Sequence, residues 1–189
     1  MSRRYCFILF VLICAAVFSS CGKTDEHEGT KHITNDGVDF TFYYPEDWVL
    51  DTNDSKTITV VYGEQSTGSN IYSIRVTENS VGSDFMTAEE YFNKSDSGIF
   101  YRYKAQFENN FKLLSTKDDF KLDDVKAFRA EFTISIAKGN DEFDSYHFIQ
   151  IYALRNGNIY TITCTGKDDD DFNTAVSALD TITEYFKFK

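Results

Sequence analysis

Between Phe111 and Gly166 the chain sets four alternating segments end to end: FKLLSTKDDFKL (111–122), VKAFRAEFTISIA (125–137), DSYHFIQIYALR (144–155) and NIYTITCTG (158–166). Each is rich in β-branched and aromatic residues, which suit a pleated and half-buried surface. The breaks between them are short and polar: LDD, KGNDEF and Asn156-Gly157-Asn158. Parallel strands need crossovers of about a dozen residues or more, so these four strands are expected to run antiparallel. Upstream, VDFTFYY (38–44) alternates about Phe40 and Phe42. KTITVVY (56–62) and IYSIRVTE (71–78) add two more strands, separated by the turn-forming GEQSTGSN (63–70).

Two stretches carry the other period. Thr87-Ala88-Glu89-Glu90 reads as a capping box, with Thr87 as N-cap and Glu90 reaching back. Phe92, Ile99, Tyr103 and Phe107 follow at helical spacing, with Ser95–Gly98 as an interruption. In DDDDFNTAVSALDTIT, residues Phe172, Ala175, Val176, Leu179 and Ile182 share one helical face. A short extended piece, EYFKFK, closes the chain. Apolar stripes on helices must be buried against a sheet face. The pattern therefore predicts an α+β domain with a central, mainly antiparallel sheet of six to seven strands and helices packed on it. Its 189 residues suit one such domain with short appendages.

The N-terminus, MSRRYCFILFVLICAAVFSSCGK, has the three parts of an export signal. Arg3 and Arg4 precede an apolar core from Tyr5 to Phe18, short for a permanent span of about 20 residues. Ser19 and Ser20 then lead to Cys21. FSSC resembles the bacterial lipobox, whose cysteine receives lipid, although Phe18 stands where an aliphatic residue is usual. Cys14 is the poorer candidate, because Val11, Leu12 and Ile13 before it are bulky. Residues 1–20 are accordingly expected to be a lipoprotein signal peptide, and Cys21 the lipidation site. The expected location is the extracytoplasmic face of a bacterial cell membrane, held by two or more acyl chains. Ordinary secretion, with Cys21 incidental, is the alternative.

Residues 21–35 are polar and read as a tether from lipidated Cys21 to a domain over 36–189. His27 and His32 stand there among acidic residues, a composition that keeps a linker solvated. At about 3.4 Å per residue, eleven or twelve residues of such a tether reach up to about 40 Å. Loss of the signal leaves 17 of the 19 basic residues against 30 acidic ones, a net charge of −13. That charge argues against nucleic acid or an anionic bilayer as the direct partner and leaves cations or a basic partner open. Cys164 is then the domain's lone cysteine, on the strand face of Tyr160 and Ile162, and reads as a small buried residue.

Few motifs carry chemistry. The run Asp168, Asp169, Asp170, Asp171 lacks the interleaved glycine and distal glutamate of a calcium loop. Its structural reading is a helix start, with Asp168 as cap; a cation site is the alternative. His147 is the one histidine of the 36–189 segment, too few for a zinc site, and reads as a sheet-surface residue. There is no G-x-S-x-G, P-loop or G-x-G-x-x-G. No catalytic residue, resident metal or cofactor is expected, and a hydrolase is the weakest reading. Asp118, Asp119, Asp123 and Asp124 read as turn and strand-edge acids. Tyr101, Arg102 and Tyr103 form the segment that a surface ligand would meet first.

FTFYYPEDW (40–48) holds the only proline and the only tryptophan. Pro45 ends a strand and presets a turn, and Trp48 brings a large surface to bury. Tyr44, Pro45 and Trp48 match the Tyr-Pro-x-x-Trp corner with which the PsbP-like family opens. That family closes with G-x-x-Y, an aromatic-bearing helix and a terminal Phe-x-apolar. Here those are Gly157 and Tyr160, then Phe172, then Phe186-Lys187-Phe188, with Tyr185 in place of a usual serine. The resemblance covers about residues 36 to 188. It implies an antiparallel sheet sandwiched by helices, and a non-catalytic accessory or binding module. The family includes an extrinsic photosystem II protein, a Ran-binding nuclear import factor and many bacterial lipoproteins. The expected partner is a protein or cell-envelope component; a small-ligand or divalent-cation carrier is the alternative.

Overall fold

The computed structural model describes residues 27–63, 72–94, 99–139 and 142–189. The signal segment and Cys21 lie outside them, as do Ser95–Gly98 and most of the GEQSTGSN loop. Seven strands make the central sheet: β4 (Val49–Asn53), β5 (Thr57–Tyr62), β6 (Tyr72–Ser80), β7 (Phe111–Leu122), β8 (Val125–Gly139), β9 (Glu142–Arg155) and β10 (Asn158–Lys167). Their order is β4-β5-β6-β10-β9-β8-β7, antiparallel at every pairing. Chain-order neighbours pair except at one point, where β10 returns beside β6.

The turns explain the registers. β9 and β10 meet over Asn156 and Gly157, both at positive φ (52° and 76°), the left-handed pair that a tight hairpin requires. β7 and β8 turn over Asp123 and Asp124, also both at positive φ, a conformation that aspartate tolerates better than most residues. β7 is an edge strand. Its register slips between Lys117 and Phe120, which puts Asp118 and Asp119 in a bulge, and charge with irregularity discourages further strand pairing.

Each sheet face is covered by helix. On one face lies α3 (Phe172–Glu184), which buries Phe172, Ala175, Ala178, Leu179 and Ile182. Val176 of the expected stripe is only partly buried, and Ala178 takes part instead. On the other lie α1 (Ala88–Lys94) and α2 (Ile99–Phe107). Thr87 Oγ1 accepts the Glu90 amide at 3.0 Å as a cap should, but the Glu90 carboxylate reaches the Met86 amide (2.9 Å), one residue before the N-cap. The core under α1 and α2 is aromatic: Phe92, Phe100, Phe128, Phe132, Phe148 and Tyr152. Phe132 and Phe148 are cross-strand partners, stacked with centroids 5.0 Å apart. Aromatics make up 16% of the chain, and burial accounts for these.

The segment 38–44 departs from expectation. It stays outside the main sheet and splits at Phe42 into β2 (Phe40–Thr41) and β3 (Tyr43–Pro45). β2 pairs with the C-terminal β11 (Lys187–Phe188), and β3 with β1 (Thr30–His32). β1 lies in the stretch read as tether, and Ile33 beside it is buried. The folded part therefore starts well before residue 36. His27 packs against Tyr43 and Tyr185. The polar composition hid this, because a short strand against an aromatic patch needs only one buried side chain. Trp48 is buried at 1% exposure, and its amide donates to the Pro45 carbonyl at 3.0 Å, closing the corner. Among the described residues no helix is long and apolar enough to cross a membrane.

Candidate functional site

α1 and α2 cover β8 and β9, and among the described residues no helix covers the β6–β10 half of that face. There the sheet carries polar side chains: Ser73 and Arg75 from β6, Thr163 and Thr165 from β10. A groove of about 330 Å³ runs from these residues to Phe148 and Tyr146 of β9 and Ile134 and Ile136 of β8. Tyr103 of α2 forms its wall. Registers account for the gradient. Ser73, Thr165, Phe148 and Phe132 stand in one row across four strands, and Arg75, Thr163 and Gln150 in the next.

The floor is held by a hydrogen-bonded chain. Tyr152 donates to Gln150 Oε1 (2.5 Å), and Gln150 Nε2 donates to Thr163 Oγ1 (3.2 Å). Gln150 is fully buried, so this pairing satisfies a group that would otherwise be costly to bury. Thr163 accepts here and keeps its own O–H as a donor. Arg75 Nε donates to Thr59 Oγ1 (3.3 Å), which steadies an exposed guanidinium that makes no ion pair among the described residues.

The opposite face carries a second polar group. His147 lies flat on Phe172, centroids 4.3 Å apart and planes 10° apart. Its Nε2 is 2.9 Å from Glu131 Oε1 and its Nδ1 3.3 Å from Asp168 Oδ1. It is a sheet-surface residue, as expected, but held between two carboxylates that sequence spacing does not bring near it. This arrangement ties the lead-in of α3 to the sheet. The Asp168 side chain is thereby taken away from the helix end, and the N-cap position belongs to Asp171, without a side-chain cap bond. Asp169 accepts from Tyr72 Oη at 3.0 Å. Among the described residues no group of three or more His, Cys, Asp or Glu is arranged to hold a metal ion.

The Tyr101–Tyr103 segment divides. Tyr101 donates to the Asn93 carbonyl (2.6 Å) and packs on Phe92 and Phe100. Arg102 is exposed, and Tyr103 packs on Phe148 at 5.2 Å and faces the groove. Cys164 is buried, as expected of a small core residue, and burial pushes its thiol up to about 12, away from the thiolate form that reacts. Sequence reading missed Arg75 and the threonines. The signal was a basic residue on the face of IYSIRVTE opposite Ile74 and Val76, and threonines at alternate positions of YTITCT.

A third cluster gathers Tyr160, Asp39 and Glu78. Tyr160 donates to Asp39 Oδ2 (2.5 Å), and its phenol is pushed up to about 12 by burial and by that carboxylate. Burial first, and then the adjacent Asp39 carboxylate, raise the Glu78 carboxyl above its ordinary 4.5. The folded state thus holds this proton more tightly than the unfolded chain does. The stability contributed is present below the ordinary value and is lost as pH rises through the raised one. Glu78→Gln is expected to raise the thermal midpoint at pH 7 and to have less effect near pH 4. Calorimetric scans at the two pH values measure this; equal shifts at both would contradict it.

A comparison with known families matches residues 28–188 to PsbP. The chain belongs to the PsbP family. Solved structures bear out the fold. Cyanobacterial PsbP (CyanoP) from Synechocystis sp. PCC 6803 is 16% identical with a TM-score of 0.57, over 91% of this chain and 99% of that one. The Ran-binding protein Mog1p of Saccharomyces cerevisiae is 12% identical with a TM-score of 0.56, over 84% and 95%. LpqN of Mycobacterium tuberculosis, involved in cell envelope biogenesis, is 13% identical with a TM-score of 0.52, over 87% of each chain. At such identities the likeness is one of fold alone. Comparison with curated proteins finds no match. The matched segment opens at residue 28, next to where the described structure begins.

Proposed function

We propose that this PsbP-family chain is a lipid-anchored bacterial lipoprotein whose extracytoplasmic domain works as a non-catalytic binding or accessory module. The observation that carries the reading is the joining of a PsbP-family domain to an FSSC signal across a very short leash. The chain is laid onto the domain from His27, so residues 22–26 alone separate it from Cys21. At about 3.4 Å per residue, this length of chain can reach at most about 20 Å, half the expected reach. The domain then stands close to the bilayer, with its β1–β3 end nearest. The neighbours Mog1p, described as Ran-binding, and LpqN, described as involved in cell envelope biogenesis, support a binding role on this fold.

The groove favours a second reading, in which the module carries a small ligand. Pockets for small molecules are mostly apolar with a few placed polar groups, and the groove beside Arg75 has that make-up. The anchor is tested by palmitate labelling in a bacterial host. The wild-type chain is expected to incorporate label and to sediment with membranes, and Cys21→Ala to do neither. A Cys21→Ala protein that still labels and stays membrane-bound would overturn the proposal.

A further inference from the structure

We infer that the groove between α2 and the open half of the sheet binds a small amphipathic organic anion, with its carboxylate at Arg75 and its apolar body over Phe148 and Ile134. This deepens the small-ligand reading above and does not depend on the lipid anchor.

Charge comes first. In a chain of net charge −11, Arg75 is exposed, lies at the polar end of a groove and faces no carboxylate among the described residues. Its Nε is used on Thr59, which leaves the two terminal nitrogens of the guanidinium, the fork that matches a carboxylate bidentately. Lys167, on the same face of β10, is in register with Tyr146, four residues along the strand from the Thr163–Arg75 pair, and does not line the groove, so Arg75 is the cation at this end. The nearest acid across the groove in register is Asp144, opposite Ile136, and it is already paired with Lys138 at 2.7 Å.

Shape and hydrogen bonding follow. Beside Arg75 the Ser73 hydroxyl and the donor left on Thr163 can meet an anionic oxygen. Further along the groove, the side chains of Phe148, Ile134 and half-exposed Ile136 offer no polar atom, and Tyr103 closes the side. The Tyr103 and Tyr146 hydroxyls make no hydrogen bond to described residues and remain for a polar substituent on the ligand. The volume, about 330 Å³, lies at the small end for ligand sites. An amine would meet the Arg75 guanidinium, and a wholly apolar molecule would strand Arg75 and the hydroxyls. A short aryl- or alkyl-carboxylate satisfies both ends.

The test titrates the full chain with 3-phenylpropionate and with 3-phenylpropylamine by calorimetry and methyl NMR. Protein recovered lipidated is held in phosphatidylcholine nanodiscs, with empty discs as baseline; protein recovered unlipidated is used in buffer. Failure of the anchor therefore leaves this result readable. The carboxylate is expected to bind saturably, about tenfold or more tighter than the amine, as a charge-assisted pair implies. Ile134 and Ile136 methyl signals should shift. Arg75→Gln should weaken binding about tenfold with an unchanged thermal midpoint, since the side chain is exposed. Ile136→Ser, at the rim, should weaken it while leaving the preference for carboxylate. Equal affinity for amine and carboxylate, wild-type affinity in Arg75→Gln, or no saturation with 3-phenylpropionate would each overturn the inference.

Discussion

Trp48→Ala is expected to cost about 3–5 kcal/mol of unfolding free energy, a large part of a domain's usual stability. Trp48 is 1% exposed and belongs to the core beneath α3. Its ring lies 5.7 Å from that of Tyr62, and its amide closes the turn onto Pro45. Truncation removes the transfer energy of an indole and leaves a cavity between β5 and the corner. The corner cannot collapse into it freely, because β3 on one side is pinned to β1 and β4 on the other to β5. As Trp48 is the only tryptophan, unfolding is followed by circular dichroism in urea. A loss below about 1 kcal/mol would put the indole outside the core.

Gly166→Ala should be the other severe change, costing about 1–3 kcal/mol or more. A Cβ at Gly166 would stand 2.2 Å from Tyr72 Cδ1 and 3.1 Å from Phe172 Cδ2. Both rings are buried, at 2% and 5% exposure, and Tyr72 Oη is bonded to Asp169. Neither ring is a flexible tip that can swing aside. Either the strand must move from α3 or the Tyr72 ring must leave its rotamer. Thermal melts of Gly166→Ala, Tyr72→Val and the double variant give the coupling directly. The double variant should be less destabilised than the sum of the two singles. Additive losses would mean that the methyl group is accommodated without meeting Tyr72.

Much of this architecture was legible because it is local. Strand β7 occupies 111–122 as its alternation indicates, and β8, β9 and β10 differ from their sequence ranges by at most two residues at either end. The Asn156-Gly157 pair names its own turn, because positive φ at both positions suits few residues. The one-faced helix after Asp171 follows from a period that only a helix satisfies. The candidate site was far less visible. Tyr103 was singled out, but as part of an exposed patch rather than as the wall of a groove. Arg75 and Thr163 are neighbours only because β6 and β10 pair across more than eighty residues of chain.

The sequence alone thus determined the antiparallel strands, the amphipathic helices, the Pro45–Trp48 corner and the family. Each depends on the order of residues within a dozen positions, where steric preference and hydrophobic period act directly. Tertiary structure alone decided that β1 is drawn out of the polar leader. It also set His147 between Glu131 and Asp168, and left Gly166 room for no side chain. Arg75 owes its place at the head of a groove to the same cause. These depend on register and on which helix covers which half of the sheet. A shift of one residue in the β6–β10 register would turn Arg75 to the other face, with no change in any local pattern.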